Sequence, residues 1–166
     1  MFVKKSRTVF LSILVLFALV FALSGCTLFN LLDALNDDSV PQEDIFEYVK
    51  ENHETLKNFP YDEMMASDLD EKDFIKQTLG KDTIVKGVWK DNGVLRFSCG
   101  GSGLSIGDST YCGFYFSEND SVYLGQFEGM ELIETSPNVF EGEGGRWTIR
   151  HEKIMDCWYY YYEEYN

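Results

Sequence analysis

Histidine, proline and cysteine are scarce in this chain: two, three and four of them in 166 residues. No His-Glu-x-x-His, Cys-x-x-Cys or EF-hand pattern occurs, so no motif points to a zinc site, a dithiol centre or a calcium loop. The acidic run Asp68-Leu69-Asp70-Glu71-Lys72-Asp73 lacks the glycine of a calcium loop and sets Lys72 among the would-be ligands. It reads as a solvated helix start. Nothing in the sequence asks for a metal or a cofactor.

Positive charge is also short. Lys and Arg number 14 against 28 Asp and Glu, a net charge of −14. Lys4, Lys5 and Arg7 precede residue 25 and every acid follows it, so the chain from Cys26 onward carries −17. Such a surface repels phosphate backbones, which argues against a nucleic-acid partner. It gains nothing from anionic headgroups either.

What the chain does have begins at its start. The three cations precede an uncharged run from Thr8 to Leu23. That is a basic region followed by a membrane-inserting one. At 16 residues the run is short for a spanning helix, which needs about 20. It ends in Leu23-Ser24-Gly25-Cys26, which closely resembles the lipobox of bacterial lipoproteins: an apolar residue, two small ones and a cysteine. The resemblance implies cleavage between Gly25 and Cys26 and a diacylglyceryl group on the Cys26 thiol. It places residues 26–166 on the outward face of the cell membrane, held by the bilayer. Two acyl chains, at about 0.8 kcal/mol per buried methylene, hold a protein stably where one does not.

Residues 26–40 read as a lipid-anchored tether, and 41–166 as a single α+β domain. Ser39 to Phe59 reads as a helix, with Ser39 and Gln42 as a capping box. Ile45, Phe46, Val49, His53 and Leu56 form its apolar stripe. A second helix is predicted over 71–79, capped by Asp70. The pattern then turns to alternation. Strands are predicted over 83–90, 94–99, 110–117, 121–127, 146–152 and 157–165, with short ones over 130–133 and 138–141. Asp91-Asn92-Gly93 marks a tight hairpin. The expected fold is two N-terminal helices packed on an antiparallel β-meander of about five to seven strands.

The body carries a second resemblance. Ile84-Val85-Lys86, Phe97-Ser98-Cys99-Gly100-Gly101-Ser102-Gly103, Tyr111, Gly113-Phe114-Tyr115-Phe116-Ser117, Lys153-Ile154 and Trp158-Tyr159-Tyr160-Tyr161 are similar to small uncharacterised lipoproteins of Gram-positive gut bacteria. The likeness covers residues 41–165. It implies a single domain and a location, and supplies no catalytic residue.

The loop from Cys99 to Ser109 invites chemistry. A nucleophile elbow needs Gly-x-Ser-x-Gly, but Leu104 stands two after Ser102. A phosphate cradle fails because Gly107 falls one residue too far and a strand follows. A turn joining two strands fits better. Cys99 and Cys112 flank the loop. They are either a disulfide, worth about 3 kcal/mol in the chain-entropy picture, or two buried thiols, with Cys157 as a substitute partner. His53 reads as a core-edge residue and His151, between Arg150 and Glu152, as an exposed one.

The aromatic tail is the most suggestive surface. Trp158, Tyr160 and Tyr162 share one strand face, and Tyr159, Tyr161 and Tyr165 the other. The expected function is non-enzymatic binding of an envelope glycan or protein, through Trp158, Tyr160 and Tyr162 or through the Ser102 loop. The alternative is a small envelope hydrolase or thiol enzyme using Cys99, Ser102 or His151.

Overall fold

The stripe of Ile45, Val49 and Leu56 has to be covered, and a sheet covers it. In the computed structural model, which describes residues 39–102 and 109–166, all three are fully buried. Gly25, Cys26, the tether up to residue 38 and residues 103–108 of the glycine-rich loop lie outside the described residues. The described residues form one compact unit.

Helix α1 spans Gln42–Lys57. It starts at Pro41, later in the chain than the predicted Ser39 cap, and the Gln42 side chain donates to the Glu152 carboxylate at 2.8 Å. Proline already sets the entry angle and removes one donor that would need a partner. A short helix that the pattern did not announce, α2, spans Tyr61–Ala66 directly after Pro60 and buries Met64. Helix α3 spans Glu71–Leu79, and the Asp70 carboxylate accepts from the Lys72 N–H at 2.9 Å as expected. Glu71 ties α3 to the sheet by accepting from the Val88 N–H at 2.9 Å. Three helices therefore precede the sheet among the described residues, where two were expected. No described helix is long and apolar enough to cross a membrane.

The sheet has seven antiparallel strands: β1 Gly87–Asp91, β2 Val94–Gly100, β3 Ser109–Phe116, β4 Ile133–Ser136, β5 Val139–Gly144, β6 Trp147–Met155 and β7 Trp158–Tyr165. The β1–β2 turn is the predicted one, with Asn92 at φ 49° and Gly93 at φ 84°. The spatial order β1-β2-β3-β7-β6-β5-β4 is not a plain meander. The chain leaves β3, crosses to the far edge, and returns so that β7 pairs with β3 from Phe116↔Trp158 to Ser109↔Tyr165. The strand predicted over 121–127 is absent. That segment is a crossing that ends in a 3-10 turn, Gly125–Phe127. Its Tyr123 N–H donates to the Tyr115 hydroxyl at 3.1 Å, so its polar backbone is drawn onto the sheet face instead of a sheet edge.

The helices cover one sheet face. Phe97, Phe114 and Trp158 form its centre, with Phe97 and Phe114 stacked at 4.8 Å. Phe46 meets Tyr160 at 5.9 Å, and Phe59 meets Phe97 edge-on at 5.8 Å. Buried aromatic pairs of this kind add about 0.5–1.5 kcal/mol beyond area burial. Trp158 and Tyr160 are thus core, and Tyr162 is half-buried against the same cluster. The expected binding platform does not lie on that face, because α1 needs it.

Candidate functional site

The opposite face of the sheet is built differently. Tyr115 and Tyr159 stack at 5.4 Å with planes 9° apart, and Tyr161 completes a second cluster. Beside it lies a cleft of about 420 Å³, within the usual range for ligand sites.

Register explains the floor of this cleft. Arg96 on β2, Tyr161 and Glu163 on β7, and Gly113 on β3 between them all belong to this face. A Cβ at Gly113 would come within 2.7 Å of the Tyr161 hydroxyl and 2.9 Å of its ring. Glycine there lets Tyr161 lie across β3. The Arg96 guanidinium sits 4.2 Å from the Tyr161 ring centre and 5.1 Å from that of Trp89. It reaches over to Glu163, with Nη2 donating to Oε1 at 2.5 Å. Both side chains are about nineteen-twentieths buried, at 7% and 6% exposure. Burial pushes the Glu163 carboxyl above the ordinary glutamate range, against the pull of Arg96. The Arg96 Nε is buried with no hydrogen-bond partner.

The walls are aromatic and partly open. Trp89 on β1 is 37% exposed and Tyr111 on β3 is 47% exposed. Trp147 on β6 meets Tyr111 at 6.3 Å, and Phe127 from the crossing segment braces it at 5.2 Å. Ser98, Asp91 and Gln126 add polar groups around the rim. A second hollow near the end of α1, lined by Lys57, Asp62, Glu63, Lys90 and Glu118 among others, is dominated by solvated charge and holds no comparable buried pair.

The residues proposed for catalysis are not assembled. Cys99 is buried on the helix side, and burial pushes its thiol up, away from a nucleophilic thiolate. Cys99 and Cys112 are buried and not joined in a disulfide, and Cys157 is half-buried and likewise unbridged. The Ser102 hydroxyl bonds to the Thr110 hydroxyl at 2.8 Å. His151 is not exposed as the sequence suggested. It is 1% exposed on the cleft side of the sheet, with Nδ1 bonded to the Tyr115 hydroxyl at 3.2 Å and Nε2 unpartnered. The sheet therefore stands between His151 and Cys99. His53 is half-buried, with Nδ1 3.0 Å from the Lys50 carbonyl. Among the described residues no group of three or more His, Cys, Asp or Glu is placed to hold a metal ion.

Sequence reasoning missed Arg96, Trp89, Tyr111 and Trp147. The one available signal was alternation: Trp89, Arg96 and Tyr111 each sit out of phase with the helix-side core positions of their strands, whereas Trp147 is in phase with the buried Ile149 and His151 of its own strand. Comparison with known proteins finds no matching family model, no matching curated protein and no matching solved structure.

Proposed function

We propose that this chain is a lipid-anchored, outward-facing binding protein of the cell envelope, acting through the aromatic cleft and not through covalent chemistry. The anchor half of the reading rests on Lys4, Lys5, Arg7, the apolar run and Leu23-Ser24-Gly25-Cys26. The binding half rests on one observation. An open wall of Trp89, Tyr111 and Trp147 stands over a buried, internally neutralised Arg96–Glu163 pair. Exposed aromatic surface around a concave site marks contact with a partner.

Two measurements test it. Intact-mass analysis of the membrane-extracted protein is expected to show a diacylglyceryl Cys26 as its first residue, and Cys26→Ser is expected to abolish lipidation and cleavage together. An unmodified Cys26 on an uncleaved chain overturns the anchor. For the cleft, saturable binding of the chain to cell envelopes is expected, and Trp89→Ala is expected to weaken it. Envelope binding unchanged by Trp89→Ala overturns the cleft as the binding site.

A further inference from the structure

Resting on that reading, we infer that the cleft binds an uncharged saccharide, stacking its C–H face on Trp89 and Tyr111 and bonding its hydroxyls through the polar rim. The argument is one of charge and shape. An anionic ligand needs a free cation, and Arg96, the cation lining the cleft, is closed off by Glu163 at 2.5 Å and lies over the Tyr161 ring. The surrounding chain from Cys26 onward, at −17, repels anions further. A cationic ligand needs ring faces for cation–π contact. One face each of the Trp89 and Tyr161 rings is already turned to the Arg96 guanidinium, which keeps a second cation from stacking beside it. What remains available is the outer ring surface of Trp89 and that of Tyr111, together with neutral donors and acceptors in Ser98 and Gln126 and the acceptor oxygens of Asp91. A ligand that is apolar on one face and hydroxylated at its edge matches that set. A purely apolar ligand leaves the polar rim unpaired, which is costly in a partly desolvated site.

Two of the chain's three tryptophans, Trp89 and Trp147, line the cleft, while Trp158 is in the core. Intrinsic fluorescence therefore reads the site directly. The experiment titrates the full chain, in a detergent without sugar headgroups, with oligomers of glucose, mannose and N-acetylglucosamine of about four to six units. Tetralysine and inorganic phosphate are run beside them. The expected result is a saturable emission change with at least one oligosaccharide. Trp89→Ala should weaken it about tenfold or more, as loss of one aromatic anchor does. Ile133→Ser, on exposed β4 outside the cleft, should leave it unchanged. A response to tetralysine or phosphate but to no sugar overturns the saccharide while leaving the cleft as a binding site. No response to any sugar, with envelope binding still sensitive to Trp89→Ala, overturns the saccharide alone. If envelope binding ignores Trp89→Ala, the cleft falls with it.

Discussion

The two faces of one sheet solve different problems. The helix-covered face is apolar and closed: Phe97, Phe114 and Trp158 share one buried cluster with Ile45, Val49 and Leu56 of α1, with no ionised group among them. The other face buries an arginine, a glutamate and a histidine among tyrosines, and leaves tryptophan and tyrosine partly in water. Apolar packing of the first kind is the main source of stability. A buried ion pair of the second kind is a poor way to gain stability, since an apolar pair of similar volume often does as well or better. The comparison teaches that the cleft face carries features that folding alone does not require. Removing side chains from each face in turn sharpens it.

The largest effect is expected on the helix side. Trp158→Ala removes a ring that touches Phe97, Phe114 and Phe116. The loss should be about 4 kcal/mol, read by denaturant unfolding, and should leave the domain largely unfolded at modest temperature. Next comes the ion pair. Glu163→Gln leaves Arg96 charged and buried without its partner, at a cost of about 3 kcal/mol. Replacing both, Arg96→Met with Glu163→Leu, should restore most of that stability. If the double variant is as unstable as the single one, the pair is a structural necessity and the contrast between the faces weakens.

A smaller loss, about 2 kcal/mol, is expected for Gly113→Ala, because the new methyl group meets the Tyr161 ring and the Phe97 carbonyl. The same residue shows how far the sequence could be read. The helix stripe, the Asn92-Gly93 hairpin and most strands were legible because each depends on neighbours a few residues apart. The location of the site was not. It depends on β7 lying beside β3, a pairing across more than forty residues of chain that no local period encodes. Alternation alone divides Trp158, Tyr160 and Tyr162 from Tyr159 and Tyr161, but it cannot say which set the helices will cover. The choice of the wrong face for the platform, and the placing of His151 in solvent, share that cause. The crossing segment misread as a strand is its counterpart: Val122 and Tyr123 have strand-like side chains but pack on the Tyr115 cluster instead of pairing.

His151 gives the cleft face its own pH signature. Burial pushes its imidazole down to about 3, with Arg96 adding to the shift. The unfolded chain takes up the proton near the ordinary value of about 6.5, and the folded one resists it. Stability from this group is therefore complete above pH 6.5 and is lost progressively as the pH falls toward 3. Thermal melts at stepped pH should show that decline. His151→Phe should flatten it by removing the titrating group, even if packing against Tyr115 costs some stability at neutral pH. A slope unchanged by His151→Phe would assign the decline to carboxylates elsewhere.

The smallest effect on stability is expected at Trp89, and it separates the two faces most sharply. Trp89 and Trp158 are the same residue type on strands of one sheet, but Trp89 is 37% exposed and Trp158 is 2% exposed. Trp89 touches Tyr161 edge-on at 6.5 Å and lies beside Arg96, which keeps its ion pair with Glu163 when the indole is gone. Trp89→Ala should thus cost about 1 kcal/mol or less in unfolding, a surface-like value, while removing the open wall of the cleft. Equal losses for the two tryptophans would mean that Trp89 is packing material, and its exposure would then lose its functional meaning. A large difference means that the sheet spends one aromatic ring on its core and keeps the other available to a partner.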